Sequence, residues 1–213
     1  MRDKNIRSRR SKLESRQVAP ANFLIVCEGK QTEPNYFNGL KKKINERYGN
    51  KVDVLIPSIE IKGTGKNTTD LVHYTSKFVN YSNKRYANVW VVFDKDDYSD
   101  EQFDNAIKSC DYNIAWSNPN FELWLLLHLK KVNKFISKEN ILKELDKEFL
   151  KNGLGNYQKN DDKIFQKLSN NNGIVTAINN SEVLEKNNNN CNPSQCNPQT
   201  MVYKIVEKLV EYL

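Results

Sequence analysis

The chain has 213 residues, with 33 Lys and Arg against 26 Asp and Glu, and so a formal net charge of +7. This length suits one domain of ordinary size plus an extension, since domains cluster near about 100 to 150 residues. No apolar run approaches the roughly 18 residues of a membrane span, and no apolar segment follows the basic N-terminus. The four cysteines do not suggest a disulfide framework. We therefore expect a cytoplasmic protein that does not associate with a membrane.

Much of the positive charge lies in the first 16 residues. Seven Lys and Arg residues, including Arg7, Arg9 and Arg10, face only two carboxylates in this segment. A flexible basic arm suits a polyanion, because each neutralised phosphate releases counterions. We therefore predict contacts from Arg7, Arg9 and Arg10 to nucleic acid. The alternative is a disordered tail that keeps the chain soluble.

Strand-like and helix-like segments alternate through the first 130 residues. Short runs of β-branched and aromatic residues predict strands, and apolar residues three and four apart predict helices. In chain order we predict a strand at 23–27, a helix from 33 or 34, a strand at 52–61, a helix from 68 or 69, a strand at 89–93, a helix at 100–109, a strand at 113–116 and a helix at 121–129. Pro119 suits the first turn of the last of these helices.

Beyond residue 130 the pattern predicts helices alone, at about 137–151, 160–169, 173–186 and 199–213. The alternation upstream is typical of an α/β fold in which helices flank a parallel, Rossmann-like sheet, here of about four strands. We therefore predict three parts. They are a flexible basic arm over 1–20, an α/β domain over 21–130, and a helical extension packed on it over 131–213.

Carboxylates follow two of the predicted strands at the point where each ends. Glu28 follows the strand at 23–27, and Asp94, Asp96 and Asp97 follow the strand at 89–93. Ligands gather beyond the carboxyl ends of parallel strands, and hard divalent cations take oxygen ligands. The pattern favours a Mg²⁺ or Mn²⁺ site that supports phosphoryl chemistry. The alternative is a pair of solvated turns in which Asp96 and Asp97 cap the following helix.

Other polar residues are candidates for accessory roles at the same edge. Asn118, at the end of the fourth strand, is expected to orient a phosphate or a water. Glu122 begins an apolar helix and therefore requires a partner, so a functional role and a buried salt bridge both remain open. Lys95 and Lys66 are candidate phosphate contacts. Lys66 lies in Gly63-Thr64-Gly65-Lys66-Asn67-Thr68, which departs from a Walker A loop; a plain turn and a backbone phosphate contact both remain open.

The order of strand, Glu-Gly, βα unit, strand and Asp-x-Asp resembles the Toprim domain of topoisomerases, primases and several nucleases. A longer set of segments resembles the RloB-like family, also found as the second component of AbiL-type abortive-infection systems. These segments are Cys27-Glu28-Gly29-Lys30-Gln31-Thr32-Glu33-Pro34-Asn35-Tyr36-Phe37, Phe93-Asp94-Lys95-Asp96-Asp97, Ser117-Asn118-Pro119-Asn120-Phe121-Glu122-Leu123-Trp124-Leu125-Leu126-Leu127-His128 and Asn197-Pro198-Gln199-Thr200.

The resemblance implies a Toprim-like nuclease that acts on DNA or RNA in phage defence, together with a separately encoded, RloA-like ATPase. It places Glu28, Asp94 and Asp96 in the catalytic site, where with Asp97 they bind Mg²⁺ or Mn²⁺. Lys30 stands where the family often has an acid, and Glu33 is the accessory carboxylate nearby. Two other functions remain open: a non-catalytic binding or regulatory subunit of that ATPase, and a nucleotidyl transferase.

Overall fold

The structure is a computed structural model, and it describes residues 22–49, 51–55, 68–96 and 98–213. Within these ranges strands and helices alternate at first and helices then dominate. The elements are β1 Phe23–Cys27, α1 Thr32–Tyr48, β2 Val52–Leu55, α2 Thr68–Tyr81, β3 Asn88–Asp94, α3 Asp100–Ser109, β4 Asn113–Asn118, α4 Glu122–Leu127, α5 Lys138–Lys151, α6 Ile164–Leu168, α7 Gly173–Asn187, a 3-10 turn Pro193–Gln195, β5 Gln199–Thr200 and α8 Val202–Val210.

The strands form one sheet in the order β2-β1-β3-β4-β5. Neighbouring strands from β2 to β4 run parallel, so their carboxyl ends lie along one edge. The predicted α/β fold, with a parallel sheet between helices and a helical C-terminal region, is confirmed. The described sheet has a fifth strand, β5, which runs antiparallel to β4. We predicted helix at 199–200, because two residues are too few to show a strand period.

Alternate side chains of each strand point to opposite faces of the sheet, as the pleat requires. Leu24 and Val26 of β1 pack with α2 and α3 on one face. Phe23 and Ile25 pack on the other face, in a larger cluster that includes residues of α1 and of every helix from α4 to α8. The C-terminal helices therefore share a core with the sheet.

Some predicted boundaries differ from the structure. Pro119 is not in the first turn of a helix: α4 begins three residues later, and the Pro119 carbonyl accepts a hydrogen bond from the Asp96 N–H at 2.9 Å. The predicted helix at 160–169 shortens to α6. The predicted strand at 52–61 is described as far as residue 55, and the Gly63 to Thr68 segment lies almost wholly outside the described residues, with only Thr68, the first residue of α2, inside them.

Two of the four cysteines are bonded to each other. Cys191 and Cys196 form a disulfide, so the expectation of a chain without disulfides was wrong for this pair. Cys27 and Cys110 are free thiols. A membrane-spanning helix is not found among the described residues, since none of their helices is both long and apolar enough.

Candidate active site

The carboxyl ends of β1 and β3 bring Glu28 and Asp94 together. The Glu28 N–H donates to the Val92 carbonyl at 2.9 Å, which continues the parallel ladder past the end of β1. The Asp94 N–H in turn donates to Glu28 Oε2 at 3.4 Å, and the Tyr98 hydroxyl donates to Glu28 Oε1. The two strand tips that the sequence singled out are therefore neighbours in space.

Asp94 lies between β3 and the segment that enters α4. Its Oδ2 accepts a hydrogen bond from the Phe121 N–H at 3.0 Å. Its Oδ1 is buried and has no hydrogen-bond partner among the described residues. A buried carboxylate oxygen without a donor is unfavourable, so this atom is suited to a ligand that supplies positive charge or a donor.

Two further carboxylates approach from the first turns of helices. Glu33 of α1 is 6% exposed, and its Oε1 accepts from the Gly29 N–H at 3.2 Å. Glu122 of α4 is 4% exposed; its Oε1 accepts from the Tyr157 hydroxyl at 3.2 Å and lies 3.3 Å from Lys159 Nζ. Glu122 therefore has the buried salt bridge that was one of its two interpretations. It also lines the cleft described next.

These side chains line one open cleft of about 490 Å³ at the carboxyl edge of the sheet. Five carboxylate residues and three lysines are among the residues that line it. The lining residues are Glu28, Gly29, Lys30, Gln31, Thr32, Glu33, Asp94, Asp96, Tyr98, Asn120, Phe121, Glu122, Lys138 and Lys159.

Crowded negative charge dominates the electrostatics of the cleft. Burial raises the pKa of Asp94, and the neighbouring Glu33, Glu122 and Glu28 carboxylates raise it further. Burial, with Glu122 and Glu28, likewise raises the pKa of Glu33 to about 7. Four carboxylates so close to one another favour either protonation or a bound cation.

Asp96 adopts a left-handed backbone, with a φ of 33°, and its Oδ1 accepts from Lys138 Nζ. It does not cap the following helix, because Ser99 caps α3 with a reciprocal capping box. Lys138, at the start of α5, was missed in the sequence. Nothing local to residue 138 indicates that α5 begins beside the tip of β3.

The structure brings Asn120, rather than Asn118, into the cleft. The Asn118 amide donates to the carbonyls of Pro193 and Ser194, at 3.1 and 2.8 Å, on the far side of the strand. These hydrogen bonds hold the Asn118 amide outside the cleft, and its predicted role in orienting a phosphate or a water stays a prediction. Asn120 lines the cleft, and neither the oxygen nor the nitrogen of its buried carboxamide has a hydrogen-bond partner among the described residues. The segment Asn118-Pro119-Asn120 contains both asparagines, and only the geometry of the turn shows that Asn120 lines the cleft.

Lys95 does not face the cleft. Its side chain is 14% exposed, and its Nζ donates to the Tyr98 carbonyl and lies 3.1 Å from Asp100 Oδ1. Lys95 therefore lies outside the cleft, and its predicted contact with a phosphate stays a prediction. Asp97, Lys66 and the arm residues Arg7, Arg9 and Arg10 lie outside the described residues.

The described residues contain no group of three or more Asp, Glu, His or Cys side chains already arranged to hold a metal ion. The donor set is nevertheless one that a divalent cation prefers, since it consists of carboxylates at one edge of the sheet. The unpartnered Asp94 Oδ1 and the raised pKa values of Asp94 and Glu33 both mark a place where positive charge is favourable.

Comparison with known proteins relates the chain to a protein family. A family model described as RloB-like protein matches residues 23–209. No curated protein and no solved structure matches the chain significantly. The family match runs from the start of β1 into α8, and so it includes every residue that lines the cleft. The chain therefore belongs to the RloB-like family.

Proposed function

We propose that this protein is a divalent-metal-dependent nuclease of Toprim type, which hydrolyses phosphodiester bonds in DNA or RNA. One observation carries the proposal: Glu28, Glu33, Asp94 and Glu122 converge on a single cleft beyond the carboxyl ends of parallel strands. Catalytic carboxylates at this edge of a parallel sheet suit metal-assisted phosphoryl chemistry.

Glu28, Asp94 and Asp96 are the residues that would hold Mg²⁺ or Mn²⁺, with Asp97 next to them in the sequence. A divalent cation bound there would polarise a phosphoryl oxygen, lower the pKa of a water and stabilise a leaving alkoxide. Its charge would also offset the repulsion that raises the pKa of Asp94.

The remaining residues of the cleft would bind and orient the substrate. Lys30, Lys138 and Lys159 line the cleft together with its carboxylates, and their positive charge suits the phosphates of a nucleic acid chain. Asn120 presents a carboxamide without a protein partner, which is suited to a phosphate oxygen or a water. Glu33 accepts the Gly29 N–H and so fixes the turn that carries Glu28.

We further propose a role in phage defence beside a separately encoded, RloA-like ATPase, which is what membership of the RloB-like family supports. The Gly65-Lys66 segment does not form a Walker A loop, because Glu60 and Asn67 occupy positions where that loop needs Gly and Ser or Thr. Our proposal therefore assigns any dependence on ATP to the partner. Mixing the chain with that ATPase, with and without ATP, and following cleavage would test this part.

The Asp94→Asn variant tests the nuclease assignment. The change keeps an oxygen that can accept from the Phe121 N–H, and it removes one charge from a crowded cluster. We expect binding of Mn²⁺, measured by calorimetry, to weaken at least about tenfold, and cleavage of plasmid, single-stranded DNA or RNA to stop. Thermal stability without metal should stay equal or rise, because repulsion between carboxylates falls.

Asp111→Asn is the matched control, since Asp111 is exposed at the opposite edge of the sheet, before β4. This variant should bind metal and cleave as the wild type does. Equal cleavage by the wild type and Asp94→Asn would contradict the proposal. Absence of Asp94-dependent metal binding, together with tight binding to the ATPase, would favour the regulatory subunit instead.

A further inference from the structure

Phe135 is an exposed aromatic residue beside the candidate active site. Its side chain is 77% exposed, whereas most described aromatic rings are buried in the two clusters that flank the sheet. It lies in the segment 130–137, which joins α4 to α5 and has the sequence Lys-Lys-Val-Asn-Lys-Phe-Ile-Ser. An exposed ring among lysines is a combination typical of surfaces that bind unpaired nucleotides.

The surface from the carboxylate cleft to Phe135 is continuous. A second hollow, of about 440 Å³, shares Asp96 and Lys138 with the cleft and also reaches Phe135. A third, of about 370 Å³, is lined by Phe135 together with Lys131 and Lys134. The three hollows follow one another, so a single strand lying along them would pass from the lysines over the ring to the carboxylates.

The backbone beside Phe135 is held in place. The Asn197 carboxamide accepts from the Ile136 N–H and donates to the Ile136 carbonyl, both at 3.1 Å. The next residue, Ser137, caps α5 by accepting from the Asn140 N–H at 3.4 Å. The ring is therefore presented from a fixed position, which lowers the entropy lost when a base stacks on it.

The charge of this segment complements a polyanion. Lys131 and Lys134 are exposed, and neither forms an ion pair with any residue in the described part of the chain. Lys130 differs from them, because its Nζ lies 2.7 Å from Glu144 Oε2. Two lysines that precede the ring in sequence, one and four residues before it, are thus available to phosphates.

We propose that Phe135, Lys131 and Lys134 form a docking track for single-stranded nucleic acid, with a base stacked on Phe135 and phosphates on the two lysines. The track rests on the proposed nuclease function, because it names that enzyme's substrate class. Bases in a duplex stack on each other and cannot reach a side chain face, whereas unpaired bases can. The ring therefore selects single strands over duplexes.

Fluorescence anisotropy of the full chain in EDTA tests the track without cleavage. The probes are labelled oligonucleotides of about 15 nucleotides, as single-stranded DNA, single-stranded RNA and duplex DNA. Phe135→Ala should weaken single-strand binding roughly tenfold, and duplex binding less than about twofold. Phe135→Trp should bind single strands at least as well as the wild type. Weaker binding of Phe135→Ala to single-stranded DNA or to single-stranded RNA supports the track. The probe that shows the weaker binding indicates whether the track accepts deoxyribose or ribose.

The dependence of Kd on salt concentration distinguishes the contribution of the Phe135 ring to binding from that of the lysines. The double variant Lys131→Ala/Lys134→Ala should lower the slope of log Kd against log salt concentration by about 1.4, since each single-strand phosphate contact contributes about 0.7. Phe135→Ala should leave that slope unchanged. Tyr81→Ala is the matched control, because Tyr81 is 86% exposed at the end of α2, on the opposite edge of the sheet, and its loss should change neither quantity.

Unchanged single-strand affinity in Phe135→Ala would overturn the track, as would an equal loss on the duplex. Loss of binding to the ATPase alone, with nucleic acid affinities intact, would overturn it in favour of a protein contact. These results are independent of the Asp94→Asn test. A chain that binds single strands through Phe135 but never cleaves would contradict the nuclease assignment and leave the docking surface standing.

Discussion

The Glu28-Gly29 pair requires glycine because of a side chain four residues further on. A Cβ atom added at Gly29 would lie 2.6 Å from Glu33 Cδ and would overlap both carboxylate oxygens. The carboxylate is the flexible end of its side chain, so the protein can relieve the overlap by moving Glu33. Glycine at residue 29 therefore matters for where the Glu33 carboxylate lies, and matters less for the stability of the fold.

Gly29→Ala should accordingly displace Glu33 and break its hydrogen bond from the Gly29 N–H, which measures 3.2 Å. We expect cleavage to fall roughly 10- to 100-fold, because small displacements in an active site are costly, while urea denaturation shows a change below about 1 kcal/mol. If Gly29→Ala lowers cleavage by displacing Glu33, adding Gly29→Ala to a Glu33→Ala variant should lower cleavage little further. Additive losses in the double variant would refute this explanation.

Asn118 and Asn120 form a matched pair of buried amides with opposite expected behaviour. Asn118→Ala removes two hydrogen bonds to carbonyls and should destabilise the protein by about 1–3 kcal/mol in urea denaturation. Asn120→Ala removes a carboxamide that has no partner among the described residues, so its stability should change by less than about 1 kcal/mol. Cleavage should fall about tenfold in the Asn120 variant. A structural role for Asn120 would show instead as a comparable loss of stability.

Between elements, one close packing constraint is the contact of α1 with α6. A Cβ atom at Gly39 would lie 2.5 Å from Phe165 Cβ, an atom fixed to the backbone of α6. Gly39→Ala would gain helix propensity of up to about 1 kcal/mol, but overpacking costs about 1–3 kcal/mol. Because Phe165 Cβ cannot rotate away, we expect net destabilisation of about 1–2 kcal/mol in urea denaturation.

Asn38 provides the control for Gly39, since it is the neighbouring residue of the same helix and is exposed. Asn38→Ala tests propensity alone and should stabilise the protein by a few tenths of a kcal/mol. The two Ala substitutions thus have opposite expected signs. Stabilisation by both would mean that α6 moves away from α1 at little cost.

The sequence predicted the elements whose periodicity is long and strong, and failed where structure depends on distant partners. β1 is a fully apolar run, and β3 contains one from Val89 to Phe93. The bounds of β1 were therefore predicted correctly and those of β3 to within one residue at each end. β5 has two residues and exists because it pairs with β4, a partner that no local pattern reveals. α4 begins later than predicted, since the Pro119 carbonyl is used by the Asp96 backbone.

The same limit applied to the site. Glu28 and Asp94 were predicted to meet because parallel strands share an edge, and they do. Lys138 and Tyr157 arrive from the helical region, whose packing on the sheet has no sequence signature at this level. The metal roles of Glu28, Asp94 and Asp96 stay predictions, as do the boundaries between the basic arm, the α/β domain and the extension.

For the whole molecule, the buried His128 links stability to pH. Its Nδ1–H donates to the Trp124 carbonyl at 2.9 Å, and its Nε2 accepts from the Tyr36 hydroxyl at 3.2 Å. Burial lowers the pKa of His128 to about 4, against about 6.5 in an unfolded chain. Between these values the unfolded chain binds a proton that the folded chain does not, so stability falls as the pH falls through this window.

We expect His128 to cost about 2 kcal/mol of stability when the pH drops from 7 to 5. The raised pKa of Glu33 acts in the opposite direction, so the comparison must be made between variants. Urea denaturation should show that the free energy of unfolding of His128→Gln falls less between pH 7 and 5 than that of the wild type. The difference should be about this amount. His73 is exposed on α2, and His73→Gln should keep the wild-type dependence. Identical pH profiles for wild type and His128→Gln would contradict the assignment.

The antiparallel pairing of β5 has a consequence for the order in which the protein is made. Ser117 and Thr200 are 83 residues apart in the chain, yet their hydroxyl groups lie 3.0 Å from each other beside the turn that leads into the cleft. During synthesis on the ribosome, the outer edge of β4 stays uncovered until residue 200 has emerged. Nascent chains that end before residue 200 cannot form the contact between Ser117 and Thr200 beside the Asn118 to Phe121 turn. The turn that leads into the cleft therefore gains this contact only once residue 200 can pair with β4.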